Sequence, residues 1–419
     1  RSGRGHRSSQ LRRVAPSGVA LGWAAMPWDG TTIGALFGAG SATMASLALL
    51  QRYLRYELKR PELIHAPMEE KELEDQHLTQ EVRLLLREYW PHPVLEFSGY
   101  ISTLWSSMWA VFPARRAVGE VEPLTLQDGG TVSLHWGLPP DRGGRDRIVL
   151  VLPGLNNNSC TSFIQTTMRH LRQAGFQAVA LNFRATGGNP LTAPRVGGLD
   201  SWRDLPEVAE HICKTHPDCD LFGLGFSMGA LILLKHLGEE GHRTRLKAGV
   251  AIAAAVDVPR AVQSLESTRR KLALNFAMVN GVKMSLILPV LLSPFAGQID
   301  MPRTLLARTI RQLDEASVCK LHGYRDADEY YATNCPKSGV PNIAVPTLIV
   351  NAEDDPVVTV KSLPLDEIRR NPRLYVAITK RGGHIGWGSG GLGAACWTDA
   401  MAVDFLLACS LRSSRPSRL

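Results

Sequence analysis

A serine between two glycines lies where an apolar run changes to a helical pattern, in Gly225-Phe226-Ser227-Met228-Gly229. The G-x-S-x-G pattern at a sharp strand-to-helix turn holds a serine hydroxyl above a sheet, and small flanking residues let the strand and helix backbones approach closely. The helix N-terminus adds a favourable dipole and a free N–H at Met228. Because glycine makes up 38 of 419 residues, the pentapeptide alone can occur by chance; its strand–turn–helix context predicts Ser227 as a nucleophile.

A serine hydroxyl is a poor nucleophile without a base, and the base needs an acid that orients it. In hydrolases with this turn the chain order is serine, acid, histidine. His384 is the only histidine after residue 322 and follows a predicted strand, so it is the candidate base. The candidate acids, Asp354 and Asp355, end another predicted strand. We favour Asp355 because Asp-Pro-Val-Val forms the turn after the strand, and we expect Asp354 to cap or hydrogen-bond nearby backbone.

An oxyanion forms when an acyl carbonyl is attacked, and two N–H donors are needed to stabilise it. Met228 supplies the first. The second is expected from the loop after an earlier apolar strand, where Gly154 lets the backbone turn inward and Leu155 presents its N–H. These groups predict acyl transfer with no metal and no organic cofactor. A G-x-G-x-x-G match at 388–393 lacks a βαβ unit followed by an acidic residue, so it does not predict a dinucleotide site.

Strand and helix patterns alternate along the body of the chain and would position these groups. Short apolar runs predict strands at 131–138, 147–154, 177–183, 220–226, 248–256, 346–354 and 374–381. The alternation predicts an α/β fold, with a mostly parallel twisted sheet covered by helices on both faces. Residues 259–343 interrupt it with helical patterns that include the apolar piece 284–295, so we expect an inserted helical cap.

The N-terminal part contains a run of 22 residues without a charge, residues 30–51, which is long enough to span a bilayer as a helix. We interpret it as a membrane anchor. A buried helix or a cleaved targeting segment is the alternative, because residues 1–25 carry five arginines and no acid. The end of the chain, 417–419, resembles a peroxisomal address, which leaves an organelle or peroxisomal location open. Residues 52–92 predict helices, and 94–112 predicts a segment that packs on the catalytic domain or lies at a membrane interface.

The composition excludes several classes of protein. Apolar residues make up 44% and charged residues 21%, which is ordinary for a globular chain and unlike a disordered or collagenous one. The net charge is +8, but outside residues 1–25 only 42 basic residues stand against 39 acidic ones, so no nucleic-acid partner is predicted. The seven cysteines are odd in number and contain no C-x-x-C pair, so they predict neither a metal cluster nor a disulfide framework.

Four stretches resemble the membrane-anchored branch of the ABHD-type α/β-hydrolase family, which includes bacterial and plant hydrolases of the same pattern. They are LPGLNNNS (152–159), NFRATGGNPLTAPR (182–195), GFSMGA (225–230), and YRDADEYY (324–331) with the following PTLIVNAEDDPVV and RGGHIGW. The resemblance covers roughly residues 92–411. It implies the α/β-hydrolase fold, the triad Ser227, Asp355 and His384, and a single N-terminal anchor. Ala185 departs from the family's glycine, but this departure removes no catalytic group.

The sequence therefore predicts a membrane-anchored serine hydrolase, similar to lipases and phospholipases, that cleaves carboxylic esters of lipids. The alternatives are a thioesterase or acyltransferase with the same triad, and a non-catalytic binding protein on a hydrolase scaffold. The expected partners are an acyl-ester lipid and a membrane. The predicted divisions are a basic segment 1–29, the anchor 30–51, a helical and aromatic linker 52–115, the hydrolase domain 116–411 and a basic tail 412–419.

Overall fold

A nine-stranded sheet forms the centre of the structure, a computed structural model that describes residues 61–86, 89, 91–92, 96–110, 117–142, 146–388 and 396–413. The strands are β1 (Glu62–His65), β2 (Val118–Thr125), β3 (Thr131–Gly137), β4 (Arg147–Leu152), β5 (Gln177–Asn182), β6 (Asp220–Phe226), β7 (Leu246–Ile252), β8 (Thr347–Ala352) and β9 (Leu374–Thr379). Their order is β1-β9-β8-β7-β6-β4-β5-β3-β2. The six strands from β4 to β9 pair in parallel, whereas β1, β2 and β3 pair antiparallel at the two edges.

Helices cover both faces of this sheet, as the alternating pattern predicts. The helices are α1 (Leu73–Leu85), α2 (Gly99–Ala110), α3 (Ser162–Gln173), α4 (Leu205–Thr215), α5 (Met228–Glu240), α6 (Val258–Leu265), α7 (Arg269–Leu291), α8 (Met301–Leu306), α9 (Ile310–Leu313), α10 (Cys319–His322), α11 (Ala327–Thr333), α12 (Leu365–Arg370) and α13 (Trp397–Ser413). One core lies between the sheet and α4, α5 and α12. A second core lies between the opposite face and α1, α3 and α13. The β4 side chains alternate between them, Leu150 facing the first core and Val151 the second.

Two edge strands, β1 and β2, were not predicted from the sequence. The prediction of helices over 52–92 is wrong for Glu62–His65, because these residues form strand β1 and pair antiparallel with β9. This strand has four residues and includes charged side chains, so its pattern is too short to separate from a helix. Residues 61–86 thus join the central sheet through β1 and the second core through α1, within the predicted linker 52–115. The predicted segments 1–29, 30–51 and 417–419 lie outside the described residues.

A helical cap interrupts the alternation between β7 and β8, as expected from residues 259–343. Helices α6 to α11 form it, and they have a core of their own that includes Val279, Leu313 and Tyr330. Of the described helices, α7 is the one whose length and composition would allow it to cross a membrane, with a mean hydropathy of 1.5 over its most apolar window. Only 22% of that window is buried, so much of this apolar helix is at least partly accessible to solvent.

Candidate active site

Ser227 lies at the turn between β6 and α5 with a strained backbone, at φ 50° and ψ −113°. A positive φ is costly for a residue with a Cβ and is found where the surrounding structure enforces it. The tight packing that the flanking glycines allow holds the turn in this conformation. A Cβ on Gly225 would lie 2.4 Å from the carbonyl oxygen of Gly229, and one on Gly229 would lie 2.1 Å from the carbonyl oxygen of Leu152. The close approach of strand and helix therefore requires both glycines.

The three residues predicted to act together lie within hydrogen-bonding distance of one another. The Oγ of Ser227 is 2.8 Å from Nε2 of His384, and Nδ1 of His384 is 2.8 Å from Oδ2 of Asp355. Asp355 is buried, and its Oδ1 accepts hydrogen bonds from the N–H groups of Val357 and Val358 at 2.7 and 2.8 Å. These two bonds fix the carboxylate so that Oδ2 faces the imidazole. With the proton on Nδ1, the histidine presents an unprotonated Nε2 to the serine.

The neighbouring carboxylate of Asp354 has a different contact. Its Oδ1 accepts a hydrogen bond from the N–H of Gly383 at 2.9 Å, and its Oδ2 lies 3.8 Å from the guanidinium of Arg381. Burial raises the pKa of Asp354, and the Gly383 bond opposes that shift. The structure thus brings Asp355 to the imidazole and Asp354 to the backbone of the loop that carries His384.

The two predicted oxyanion donors lie beside the serine. Leu155, Ser227 and Met228 line the same cavity. A Cβ on Gly154 would lie 3.3 Å from the Cβ of Ser227, so the loop after β4 passes directly against the nucleophile turn. Met228 is the first residue of α5, whose first N–H groups have no partner within the helix. The placement is consistent with both N–H groups as donors, and that role stays a prediction.

Helix α2 lies within the segment 94–112, for which packing on the domain was one of two expectations, but its contact with the loop of His384 was not predicted. Ser102 Oγ donates to the carbonyl of Gly382 at 2.9 Å, and Ser106 Oγ donates to the carbonyl of His384 at 2.9 Å. The N–H of His384 donates to Thr103 Oγ1 at 2.8 Å. A signal was present in the sequence, because these hydroxyl side chains share one face of a helix that carries no charge.

The opposite face of α2 is apolar and exposed. Together with Phe97, which precedes the helix, this face exposes Tyr100, Ile101, Leu104 and Met108. A surface helix of a globular protein normally turns its apolar stripe inward. Here the polar face is inward and holds the loop of His384, and the apolar stripe lies on the surface, as at sites that contact a membrane or another protein.

An apolar cavity of about 150 Å³ lies between Ser227 and the cap helices. Most of its lining side chains are aliphatic, and many of them come from α6, α7 and the turn after β8. Four of the lining side chains are polar, Ser227, Asp314, Tyr330 and Tyr331. A concave apolar site with a few polar groups is the usual form of a pocket for a small molecule or an acyl group.

A buried carboxyl, Glu96, lies behind the loop of His384. Its Oε2 accepts a hydrogen bond from the hydroxyl of Tyr89 at 2.5 Å. Burial raises the pKa of Glu96 to about 8; the Tyr89 bond opposes this shift, and the charge of Asp354 adds to it. Glu96 is therefore protonated in the folded protein at neutral pH, where an unfolded chain would carry the charge.

We expect Glu96→Gln to remove part of the pH dependence of stability. Between the ordinary glutamate pKa of 4.5 and about 8, the folded state binds the proton and the unfolded state releases it. The free energy of unfolding therefore falls as pH rises through this window, by up to about 1.4 kcal/mol per pH unit. The glutamine variant should match the wild type near pH 5 and be more stable at pH 8. Urea unfolding across this range measures the difference, and parallel pH curves for the two proteins would contradict it.

The chain is similar in sequence to one protein family and to several known proteins. The family described as serine aminopeptidase S33 matches residues 143–301. The embryogenesis-associated protein EMB8 of Picea glauca is 25% identical over 384 residues, which cover 87% of this chain and 79% of that protein. Phospholipase ABHD3 of Mus musculus is 30% identical over 272 residues, 64% of this chain and 66% of that protein. Monoacylglycerol lipase ABHD2 of Danio rerio is 27% identical over 348 residues, 80% and 81% of the two chains.

Solved structures include similar chains. The esterase Pf2001 of Pyrococcus furiosus is 16% identical and aligns with a TM-score of 0.45 over 70% of this chain and 98% of the esterase. Est1E of Butyrivibrio proteoclasticus is 12% identical and aligns with a TM-score of 0.44 over 70% and 98% of the two chains. The match to the mouse phospholipase spans slightly under two thirds of that protein's length, 66%.

Proposed function

The chain belongs to the ABHD-type α/β-hydrolase family and is a carboxylic ester hydrolase, and from this premise we propose that it cleaves lipid esters, either acylglycerols or phospholipids, with Ser227 as the nucleophile. The observation that carries the proposal is the pair of 2.8 Å contacts that join Ser227 to His384 and His384 to Asp355. The apolar cavity beside Ser227 supports an acyl substrate. Two relatives named a phospholipase and a monoacylglycerol lipase support a lipid ester.

The proposed mechanism follows from these contacts. Ser227 Oγ attacks the acyl carbonyl while its proton moves to Nε2 of His384, and Asp355 stabilises the imidazolium. The N–H groups of Met228 and Leu155 donate to the oxyanion. The ester C–O bond then breaks, and the leaving alcohol takes the proton from Nε2. Water then attacks the acyl carbon of the acyl-serine while Nε2 of His384 takes the water proton. The bond between the acyl carbon and Oγ breaks, His384 returns that proton to Oγ of Ser227, and the fatty acid leaves.

The same groups could serve a thioesterase, an acyltransferase or a binding protein on a hydrolase scaffold. The test incubates the purified full chain with a carboxylic ester, with the matched thioester, and with the ester plus an added alcohol. We expect the ester to be cleaved to the free acid faster than the thioester, with little acyl transfer to the alcohol. Preferred cleavage of the thioester or transfer to the alcohol would replace the proposal with the corresponding enzyme. No turnover by the folded protein would favour the binding scaffold.

The lipid would reach the site from a bilayer that contacts α2 and α7. Both helices adjoin the turn that carries Asp355: Gly99 of α2 packs on the backbone of Asp354, and Met278 of α7 packs on Val357 and Val358. Both helices also expose apolar side chains. On α7 and the residue after it these are Leu272, Phe276, Met284, Leu288, Leu291 and Leu292. Three bases at the start of α7, Arg269-Arg270-Lys271, would favour an anionic surface. Residues 30–51 remain the proposed anchor to the same membrane.

Charged substitutions on α7 are expected to separate membrane binding from catalysis. Met284 and Leu292 are 85% and 79% exposed and do not line the cavity. We expect the double variant Met284→Glu, Leu292→Glu to bind anionic vesicles at least about tenfold more weakly, because each side chain buries apolar surface worth about 1.5–3 kcal/mol. Hydrolysis of an ester embedded in vesicles should fall with binding, while hydrolysis of a soluble short-chain ester stays unchanged. Vesicle co-sedimentation and the two assays measure this.

The matched control is Val121→Glu, which adds a charge at a half-exposed apolar residue of β2. It should leave vesicle binding and both activities unchanged. Equal vesicle binding by the wild type and the α7 variant would exclude this surface as the membrane contact.

A further inference from the structure

A carboxyl group, Asp314, lies in the apolar cavity, and the proposed mechanism does not use it. Asp314 begins a single turn of π-helix, Asp314–Val318, between α9 and α10. Such turns are rare and often lie at functional sites, because the extra residue redirects a side chain. Asp314 is 9% exposed and lines the same cavity as Ser227. Most of the other residues that line this cavity are aliphatic, and they include Val262, Leu286 and Leu313.

The carboxyl of Asp314 is only partly satisfied by the protein. Its Oδ2 accepts a hydrogen bond from the hydroxyl of Tyr331 at 2.7 Å. Within the described part of the chain, no hydrogen bond reaches its Oδ1. The hydroxyl of Tyr330, which also lines the cavity, accepts the N–H of Leu199 at 2.6 Å and keeps its own proton for donation. Oδ1 of Asp314 is the carboxyl oxygen of this cavity that the described residues leave without a hydrogen bond.

Stability does not explain this carboxyl. Burying it is unfavourable, and an apolar residue of similar volume at such a site is often neutral or stabilising. Burial raises the pKa of Asp314 to about 7; the Tyr331 bond opposes the shift, the charge of Glu315 adds to it, and that of Arg311 opposes it. The protonated and ionised forms are both present near neutral pH.

The protonated and the ionised form of Asp314 can both bind the same kind of ligand. When Asp314 is protonated, its Oδ1 can donate a hydrogen bond into the cavity, and when it is ionised the same oxygen accepts one. A hydroxyl group both donates and accepts, so it satisfies either form. A cation would match only the ionised form, which burial disfavours.

We propose that Asp314, held by Tyr331, forms a subsite that binds a hydroxyl group of the ester substrate and determines specificity for hydroxylated esters. This inference rests on the proposed ester hydrolysis at Ser227. A cavity of about 150 Å³ holds a group of about the size of benzene. Because Asp314 and Ser227 line the same cavity, the hydroxyl belongs to the part of the ester that enters this cavity, which is either the alcohol part or the acyl part.

Two pairs of soluble esters test the proposal and distinguish these parts. Glycerol monobutyrate and propyl butyrate differ in hydroxyls on the alcohol, and ethyl 3-hydroxybutyrate and ethyl butyrate differ in a hydroxyl on the acyl chain. We expect the wild type to prefer the hydroxylated ester of one pair by about tenfold in kcat/KM, the size of one buried hydrogen bond. Asp314→Leu should abolish the preference, so that the ratio of kcat/KM between the two esters of that pair falls to about one. Asp314→Asn, whose amide also donates and accepts, should keep most of the preference.

Control variants separate this subsite from a structural role. Asp328→Asn changes an exposed carboxylate of the cap outside the cavity and should leave the preference unchanged. If Asp314→Leu does not fold, Tyr331→Phe makes the same comparison, and the preference should fall at least about threefold.

Three results would overturn the subsite. The wild type could show no preference in either pair. The preference could survive in both Asp314→Leu and Tyr331→Phe. Butyrylcholine could be the preferred ester, with that preference lost in both Asp314 variants, which would indicate a cation site. Failure of the wild type to cleave any of these esters would instead refute the proposed function.

Discussion

Ser227→Ala is expected to abolish labelling of the folded protein by a fluorophosphonate and to lower kcat for ester hydrolysis by about 10⁴-fold or more. The probe reacts with a serine whose proton is taken by a base, and Ser227 Oγ is 2.8 Å from Nε2 of His384. His384→Ala should remove labelling as well, because the hydroxyl alone is a weak nucleophile. The residual rate in both variants would come from substrate binding and the oxyanion donors.

The chain offers a matched control in a second serine–histidine pair. Ser159 Oγ lies 2.8 Å from Nδ1 of His135, the same kind of contact as in the candidate site. Ser159 is fully buried, so the probe cannot reach it. Ser159→Ala should therefore keep the labelling. Labelling that persists in folded Ser227→Ala would show that another residue is the nucleophile.

Asp355→Asn and Asp354→Asn are expected to differ by orders of magnitude in activity. Asp355 contacts Nδ1 of His384, and an amide there no longer holds the imidazole with its Nε2 free to accept the serine proton. Loss of that tautomer and of the charge should lower kcat by about 10⁴-fold. In Asp354→Asn the amide oxygen can still accept the N–H of Gly383, so this variant should retain activity within about tenfold of the wild type.

Steady-state kinetics on a soluble ester compares the activities of the two variants. Their melting temperatures show whether both are folded to a similar stability. The adjacent positions make each variant the control for the other. A larger loss of kcat in Asp354→Asn than in Asp355→Asn would show that Asp354 orients the histidine and that the contact at Asp355 is not the productive one.

The alternation of strands and helices was predictable from the sequence because buried strands of a parallel sheet are short apolar runs, and helices between them have a separate period. The position of Ser227 followed from two glycines at a strand–helix junction, and His384 followed from being the last histidine. The edge strand β1 was not predictable. Its four residues gain their extended form from pairing with β9, which is more than 300 positions away along the chain.

The local sequence determined which residue types stand at the ends of the strands, because each strand, turn and helix start has its own pattern. The tertiary structure alone decided which of those residues meet. Asp354 and Asp355 are adjacent in sequence, and only the backbone path of the turn directs one carboxylate to His384 and the other to Gly383. The support of that loop by α2 and the place of Asp314 in the cavity also depend on contacts between distant segments, and no local pattern carries that information.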